Sequence, residues 1–160
     1  MKTARTMHTL WIILAAVLLY APITGHTLYT DDFSRIADNA DLSGDYFATL
    51  LTDNRSDGFY RPLNHLSFGL TYRLFGLNSY AYGALNLALL VGTALLLAAI
   101  VSDLLDERRA GLLAALLWLS TAKPLAAALT WAVGRTTGLY AFFAMLGIWC
   151  VLQVRSRPAR

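Results

Sequence analysis

Three long stretches of this chain contain no formally charged side chain: residues 6–30, 74–102 and 136–154. An α-helix needs about 20 mostly apolar residues to cross the hydrocarbon core of a bilayer. Runs of this length constrain the chain more than any other feature, and they predict an all-α integral membrane protein. The composition agrees. Hydrophobic residues make up 57% of the chain and charged residues 14%, with mean hydropathy +0.51. Soluble domains are nearer to about half apolar and about a quarter charged. The lone cysteine, Cys150, excludes an intrachain disulfide and a cysteine metal cluster, and it reads as a small buried or lipid-facing residue.

The charges between these runs predict four crossings. Lys2 and Arg5 precede the first apolar segment, which is read as an uncleaved helix at about 8–25, ended by Pro22 and Gly25. Residues 26–77 form a net acidic segment, with seven aspartates against Arg35, Arg55, Arg61 and Arg73. Basic clusters favour the cytoplasmic side, so this segment is expected outside the cytoplasm. It carries two amphipathic patterns. One is "DLSGDYFATLLTD"; the other is "RPLNHLSFGLTYRLFG", with Leu63, Leu66, Leu70 and Leu74 on one stripe. Helix 2 is expected at about 80–101, followed by the cytoplasmic "SDLLDERR". Helix 3, about 110–134, is interrupted at Lys123-Pro124, because proline breaks a helix and lysine is costly at membrane depth. Helix 4 is expected at about 136–154, returning Arg155, Arg157 and Arg160 to the cytoplasm. The chain is thus read as a single membrane module, 1–160, with both termini cytoplasmic and the bacterial plasma membrane as its location.

The polar residues with chemical potential gather near the outer surface. Asp31 and Asp32 follow the first helix directly. A carboxylate there can take the proton of a hydroxyl acceptor, and a carboxylate pair can bind a divalent cation through oxygen. The plainer alternative is that the pair solvates and caps a helix starting at Phe33. Pro62 suits the first turn of a helix, which puts Arg61 at its start, with His65 and Tyr72 offset from the leucine stripe. A guanidinium binds a phosphate oxygen pair in a bidentate way. The plainer alternative is an arginine reaching up to lipid headgroups beside a histidine bonded within the loop. Lys123 and Arg135 flank the broken third helix, as phosphate-facing cations or as headgroup anchors. Trp131 and Tyr140 read as interfacial anchors. Tyr80, Tyr82 and Asn86 read as packing residues of helix 2, where a buried asparagine needs a partner.

Taken in order, "TDDFSRI", "FYRPLNHLSFGLTYRLFGLNSYAYGALNLAL" and "LTWAVGRTTGLYAFFAML" resemble the amino-terminal membrane module of polytopic glycosyltransferases of the GT-C class, the protein O-mannosyltransferase-like relatives. The resemblance covers roughly residues 5–152. It implies a catalytic or metal-binding carboxylate at Asp31 or Asp32, and a donor sugar carried on a polyprenyl phosphate. Arg61 and Arg135 match arginines of the pattern. The chain departs from it at "STAKPLAAALTW", where Ala127 stands in place of a glutamate, and after Asn86, where leucines replace a histidine.

The expectation is the amino-terminal part of a glycosyltransferase working at the outer membrane–water interface, probed through Asp31 and Asp32 as base or metal ligand. Arg61, His65, Lys123 and Arg135 are the expected donor-phosphate contacts. Membrane lipid and a lipid-linked sugar donor are the expected partners, and nucleic acid is not. A divalent cation is compatible with the carboxylates and not required by them. The rival reading is a non-catalytic membrane scaffold or assembly subunit, favoured by the short chain and the missing glutamate. A small transporter is disfavoured, because the polar residues gather at one surface instead of lining a midplane pathway.

Overall fold

The structure, a computed structural model, describes residues 2–24, 28, 30–40, 60–121 and 131–155. Among the described residues every regular element is helical. Helix α1 runs Lys2–Tyr20 and passes into a 3-10 turn, Ala21–Ile23. Helix α2 is Thr30–Asp38, α3 is Pro62–Phe75, α4 is Ser79–Leu105 and α5 is Arg108–Thr121. A second 3-10 turn, Ala132–Gly134, opens α6, Arg135–Arg155. The expected amphipathic helix in "DLSGDYFATLLTD" and the Lys123-Pro124 break lie outside the described residues.

Two helices are long and apolar enough to cross a membrane. They are Ser79–Leu105, with mean hydropathy 2.4, and Ala132–Arg155, with mean hydropathy 1.7. Four crossings were expected. Helix α5 has 14 residues, or about 21 Å at the 1.5 Å rise per residue, which is short of the roughly 30 Å hydrocarbon core. The apolar part of α1, Thr6–Tyr20, is also below the crossing length.

Helix α4 is the central element, and α1, α5 and α6 all pack against it. Small residues sit where three of these helices meet. Ala16 of α1, Ala94 of α4 and Ala115 of α5 are each fully buried, surrounded by Ile12, Tyr20, Leu90 and Leu119. A methyl group allows backbones to approach and leaves room for the larger leucines to interdigitate. The Tyr20 hydroxyl donates to the Leu119 carbonyl, which satisfies the polar tip of an otherwise apolar contact.

The turn between α4 and α5 is tight. Asp106 takes a left-handed conformation at φ 50°, and the Glu107 side chain accepts from the Arg109 N–H at 2.9 Å. Gly111 makes the close approach possible. A Cβ there would collide with Ser102 Oγ and the Ala98 carbonyl oxygen.

A second cluster docks the short helices onto this bundle. It contains Ile36 of α2, Phe68 of α3, Tyr82 of α4 and Ala132 of the second 3-10 turn. The chain turns from α3 to α4 over Gly76-Leu77-Asn78. Gly76 closes α3 at φ 59°, and the Asn78 side chain accepts from the Tyr80 N–H at 3.1 Å to start α4. The Tyr82 hydroxyl donates back to the Gly76 carbonyl at 3.1 Å and fixes the angle of the turn. Tyr82 and Asn86 are buried as expected of packing residues, whereas Tyr80 is 67% exposed. Two residues along a helix turn the side chain by about 200°, so Tyr80 and Tyr82 cannot share a face.

Candidate functional site

Helix α3 divides its side chains between two faces. The leucine stripe points outward, with Leu63, Leu70 and Leu74 exposed. The opposite face carries Asn64, His65, Phe68 and Thr71, all buried. Polar residues at this spacing form an inward-facing row, and Arg135 meets that row from α6.

Arg135 is fully buried at the first position of α6. Its Nε donates to Asn86 Oδ1 of α4 at 3.1 Å, and its Nη1 donates to Ser67 Oγ and Thr71 Oγ1 of α3, both at 3.2 Å. The guanidinium carbon lies 4.5 Å from the centroid of the Phe68 ring and 5.3 Å from that of Tyr82. The two hydroxyls are free to accept because their own protons go to backbone carbonyls. Ser67 donates to Asn64 and Thr71 donates to Ser67. Each hydroxyl therefore turns its lone pairs toward the arginine. Aromatic faces add cation–π attraction, which is strongest for a cation removed from water. Nη2 is buried without a hydrogen-bond partner.

Asp32 lies beside this arrangement. It is 1% exposed, and its Oδ1 accepts from the Val133 N–H at 2.9 Å. Val133 belongs to the 3-10 turn that opens α6, so the Asp32 carboxylate holds the turn from which Arg135 projects. Helix α2 begins at Thr30 and not at Phe33. That places Asp31 and Asp32 in its first turn, where the helix dipole favours negative charge. Asp31 faces outward and its carboxylate is exposed; its backbone carbonyl accepts from Ser34 Oγ at 3.0 Å. The neighbouring aspartates thus have opposite environments.

Arg61 is half-buried at the N-cap of α3. It lines a cavity between α3 and α6 that Thr136 reaches from the other wall. His65 is buried one turn further along α3. Helix α2 and the second 3-10 turn pack together, and α3 contacts both α2 and α6. Asp32, Arg61 and Arg135 therefore all flank the start of α6. Lys123 lies outside the described residues. Among the described residues no cluster of three or more His, Cys, Asp or Glu side chains could hold a metal ion.

Ser67, Phe68 and Thr71 had not been singled out from the sequence. The signal that would have found them is the spacing of Asn64, Ser67, Phe68 and Thr71 at i, i+3, i+4 and i+7, on the side of α3 away from the leucines.

No known family model matches the chain, and no solved structure is similar to it. Among curated proteins the chain is similar to the protein O-mannosyl-transferase Tmtc3 of Drosophila melanogaster, with 33% identity over 97 residues. The matched region covers 54% of this chain and 10% of the relative. The chain thus spans about a tenth of the length of the protein it matches.

Proposed function

We propose that this chain is the amino-terminal module of a membrane glycosyltransferase. It would move a sugar from a polyprenyl-phosphate carrier to a hydroxyl acceptor at the outer membrane–water interface. In this reading α1 and α5 join α4 and α6 to make four crossings, with both termini in the cytoplasm. The observation that carries the reading is the contrast between the two aspartates. Asp32 is buried and committed to the α6 turn, while Asp31 presents a free-facing carboxylate from the same helix start.

The roles follow from chemistry. Asp31 takes the proton of the acceptor hydroxyl as its oxygen bonds to the anomeric carbon. The bond from that carbon to the carrier phosphate oxygen breaks, and the polyprenyl phosphate leaves with the electron pair. Arg61, which lines the cavity, meets the phosphate, with Lys123 as a further cation. Arg135 contributes positive potential from inside the bundle. Preorganised charge of this kind stabilises the transition state without reorganising at the moment of reaction. Similarity to an O-mannosyl-transferase supports this class of chemistry.

The test is sugar transfer from a polyprenyl-phosphate donor in membranes carrying the full-length gene product, with expression level measured alongside. Loss of transfer in Asp31→Asn at normal expression is the expected result. Full transfer in that variant and in Arg61→Lys would leave the scaffold reading.

A further inference from the structure

Helix α2 has nine residues, Thr30–Asp38, too few to be stable without anchors to the rest of the fold. Asp32 and Ile36 are buried and stand one turn apart on its inward face. Asp31, Ser34 and Asp38 face outward. The two inward contacts differ in kind. Ile36 packs in one cluster with Phe68, Tyr82 and Ala132, and apolar packing is non-directional. It holds the helix down without fixing its setting along or about its own axis. The bond that Asp32 Oδ1 accepts from the Val133 N–H, at 2.9 Å, is directional and lies in the first turn, next to Asp31.

The other end of that bond is fixed independently. The Gly134 N–H donates to the Trp131 carbonyl at 3.0 Å, which closes the 3-10 turn. Arg135, next in the chain, is held by Asn86, Ser67 and Thr71. The start of α6, and with it the cavity wall of Thr136, Leu139, Tyr140 and Phe143, is therefore anchored without α2. What depends on Asp32 is the setting of α2, and so of the exposed Asp31 carboxylate, relative to that wall.

We propose that Asp32 is a positioning residue for the transfer step. Its hydrogen bond to Val133 fixes the first turn of α2 against the start of α6, and thereby sets the Asp31 carboxylate against a donor held between α3 and α6. The inference rests on the transferase reading and on Asp31 as its base. A base must lie within hydrogen-bond reach of the proton it takes, and a misplacement of about 1 Å can cost about 10²-fold in rate. Asp32 acts through Asp31 and touches neither donor nor acceptor.

The experiment is a double-mutant cycle on the transfer rate. It uses membranes carrying the full-length gene product, with a radiolabelled polyprenyl-phosphate hexose as donor and loss of label from the carrier as the readout. Rates are expressed per folded molecule, counted by size-exclusion chromatography. Asp32→Ala is expected to lower kcat by about 10–100-fold, while the KM for the donor stays within about twofold because neither cavity wall has moved. In an Asp31→Asn background the same change is expected to cost less than about twofold, since no base is left to misplace. A loss of general stability would act equally in both backgrounds. Asp32→Asn, whose amide oxygen still accepts from Val133, is expected to restore most of the rate. An equal loss from Asp32→Ala in both backgrounds, a donor KM that rises as kcat falls, or an Asn variant as damaged as the Ala variant would overturn the proposal and leave the transferase reading standing. Absence of transfer by the parent protein, or full transfer in Asp31→Asn, would remove the reading and the proposal together.

Discussion

Asp32 and Val133 stand 101 positions apart in the chain and are joined by a 2.9 Å hydrogen bond from the Val133 N–H to Asp32 Oδ1. This bond ties the start of α2 to the turn that launches α6. It separates the roles of two adjacent aspartates, because Asp31 makes no such commitment with its carboxylate.

Asp32→Ala leaves the Val133 N–H without its acceptor in a partly buried place, which costs about 1–3 kcal/mol. Asp31→Asn changes an exposed side chain and should alter stability by no more than about 0.5 kcal/mol. Transfer activity should respond in the reverse sense. If Asp31 is the general base of the proposed reaction, its loss should lower the rate by about 10²–10⁴-fold, whereas Asp32→Asn keeps an amide oxygen for Val133 and should retain more activity than Asp31→Asn. Thermal unfolding in detergent and transfer in membranes provide the two readouts. Equal behaviour of the two Asn variants in both assays would contradict the division of roles.

Arg135→Lys should destabilise the fold more than most conservative changes. An ammonium cannot reproduce the forked contacts with Asn86, Ser67 and Thr71 beside the Phe68 ring. Each lost hydrogen bond to a charged group is worth about 1.5–3 kcal/mol. Asn86→Leu should also destabilise, because it strands Nε of a buried cation. A double-mutant cycle between Asn86→Leu and Arg135→Met should give a coupling of about 0.5–3 kcal/mol. Strict additivity would show that the 3.1 Å contact carries no energy.

Gly111 and Gly147 should respond oppositely to alanine. At Gly111 the new Cβ meets Ser102 Oγ and a backbone carbonyl of α4, so the α4–α5 hairpin must spread. Overpacking of that kind costs about 1–3 kcal/mol. At Gly147 nothing lies within 4 Å of the added Cβ. Alanine there should stabilise α6 by about 0.5–1 kcal/mol, through lower backbone entropy in the unfolded chain. Paired melting curves measure both, and a Gly111→Ala variant as stable as the parent would refute the close approach.

In the proposed topology residues 26–77 lie outside and the α4–α5 turn lies inside. After replacing the exposed Cys150 with serine, a cysteine introduced at Ser43 should react with an impermeant reagent added to intact cells. One introduced at Ser102 should react only after permeabilisation. Reaction of position 102 alone from outside would invert the topology.

Much of the helical framework is legible in the sequence because it rests on local patterns. The uncharged runs mark α4 and α6, and Pro62 with the leucine stripe marks α3 and its outward face. The need of Asn86 for a partner is legible too. The identity of that partner is not, since Arg135 lies 49 positions away and only the packing of α3, α4 and α6 brings the two together. Asp32 reads as the more structural of the two aspartates because it adjoins Phe33, where a helix could start, but its partner, the Val133 N–H, is not legible. Both suit the first turn of a helix, and which one turns inward depends on where α2 meets the Val133 turn. Tyr80 and Tyr82 show a smaller version of the same effect, alike in composition and separated by the rotation of one helix.

Arg135 also sets an order of assembly. Its hydrogen-bond acceptors, Ser67, Thr71 and Asn86, and the rings of Phe68 and Tyr82 all precede it in the chain. So does Asp32, which holds the turn before it. A cation entering the bilayer without partners is strongly disfavoured, and synthesis delivers amino-terminal segments first. These partners of the guanidinium therefore leave the ribosome before the arginine does, and α6 can enter the membrane as the closing piece of a socket whose walls are already made.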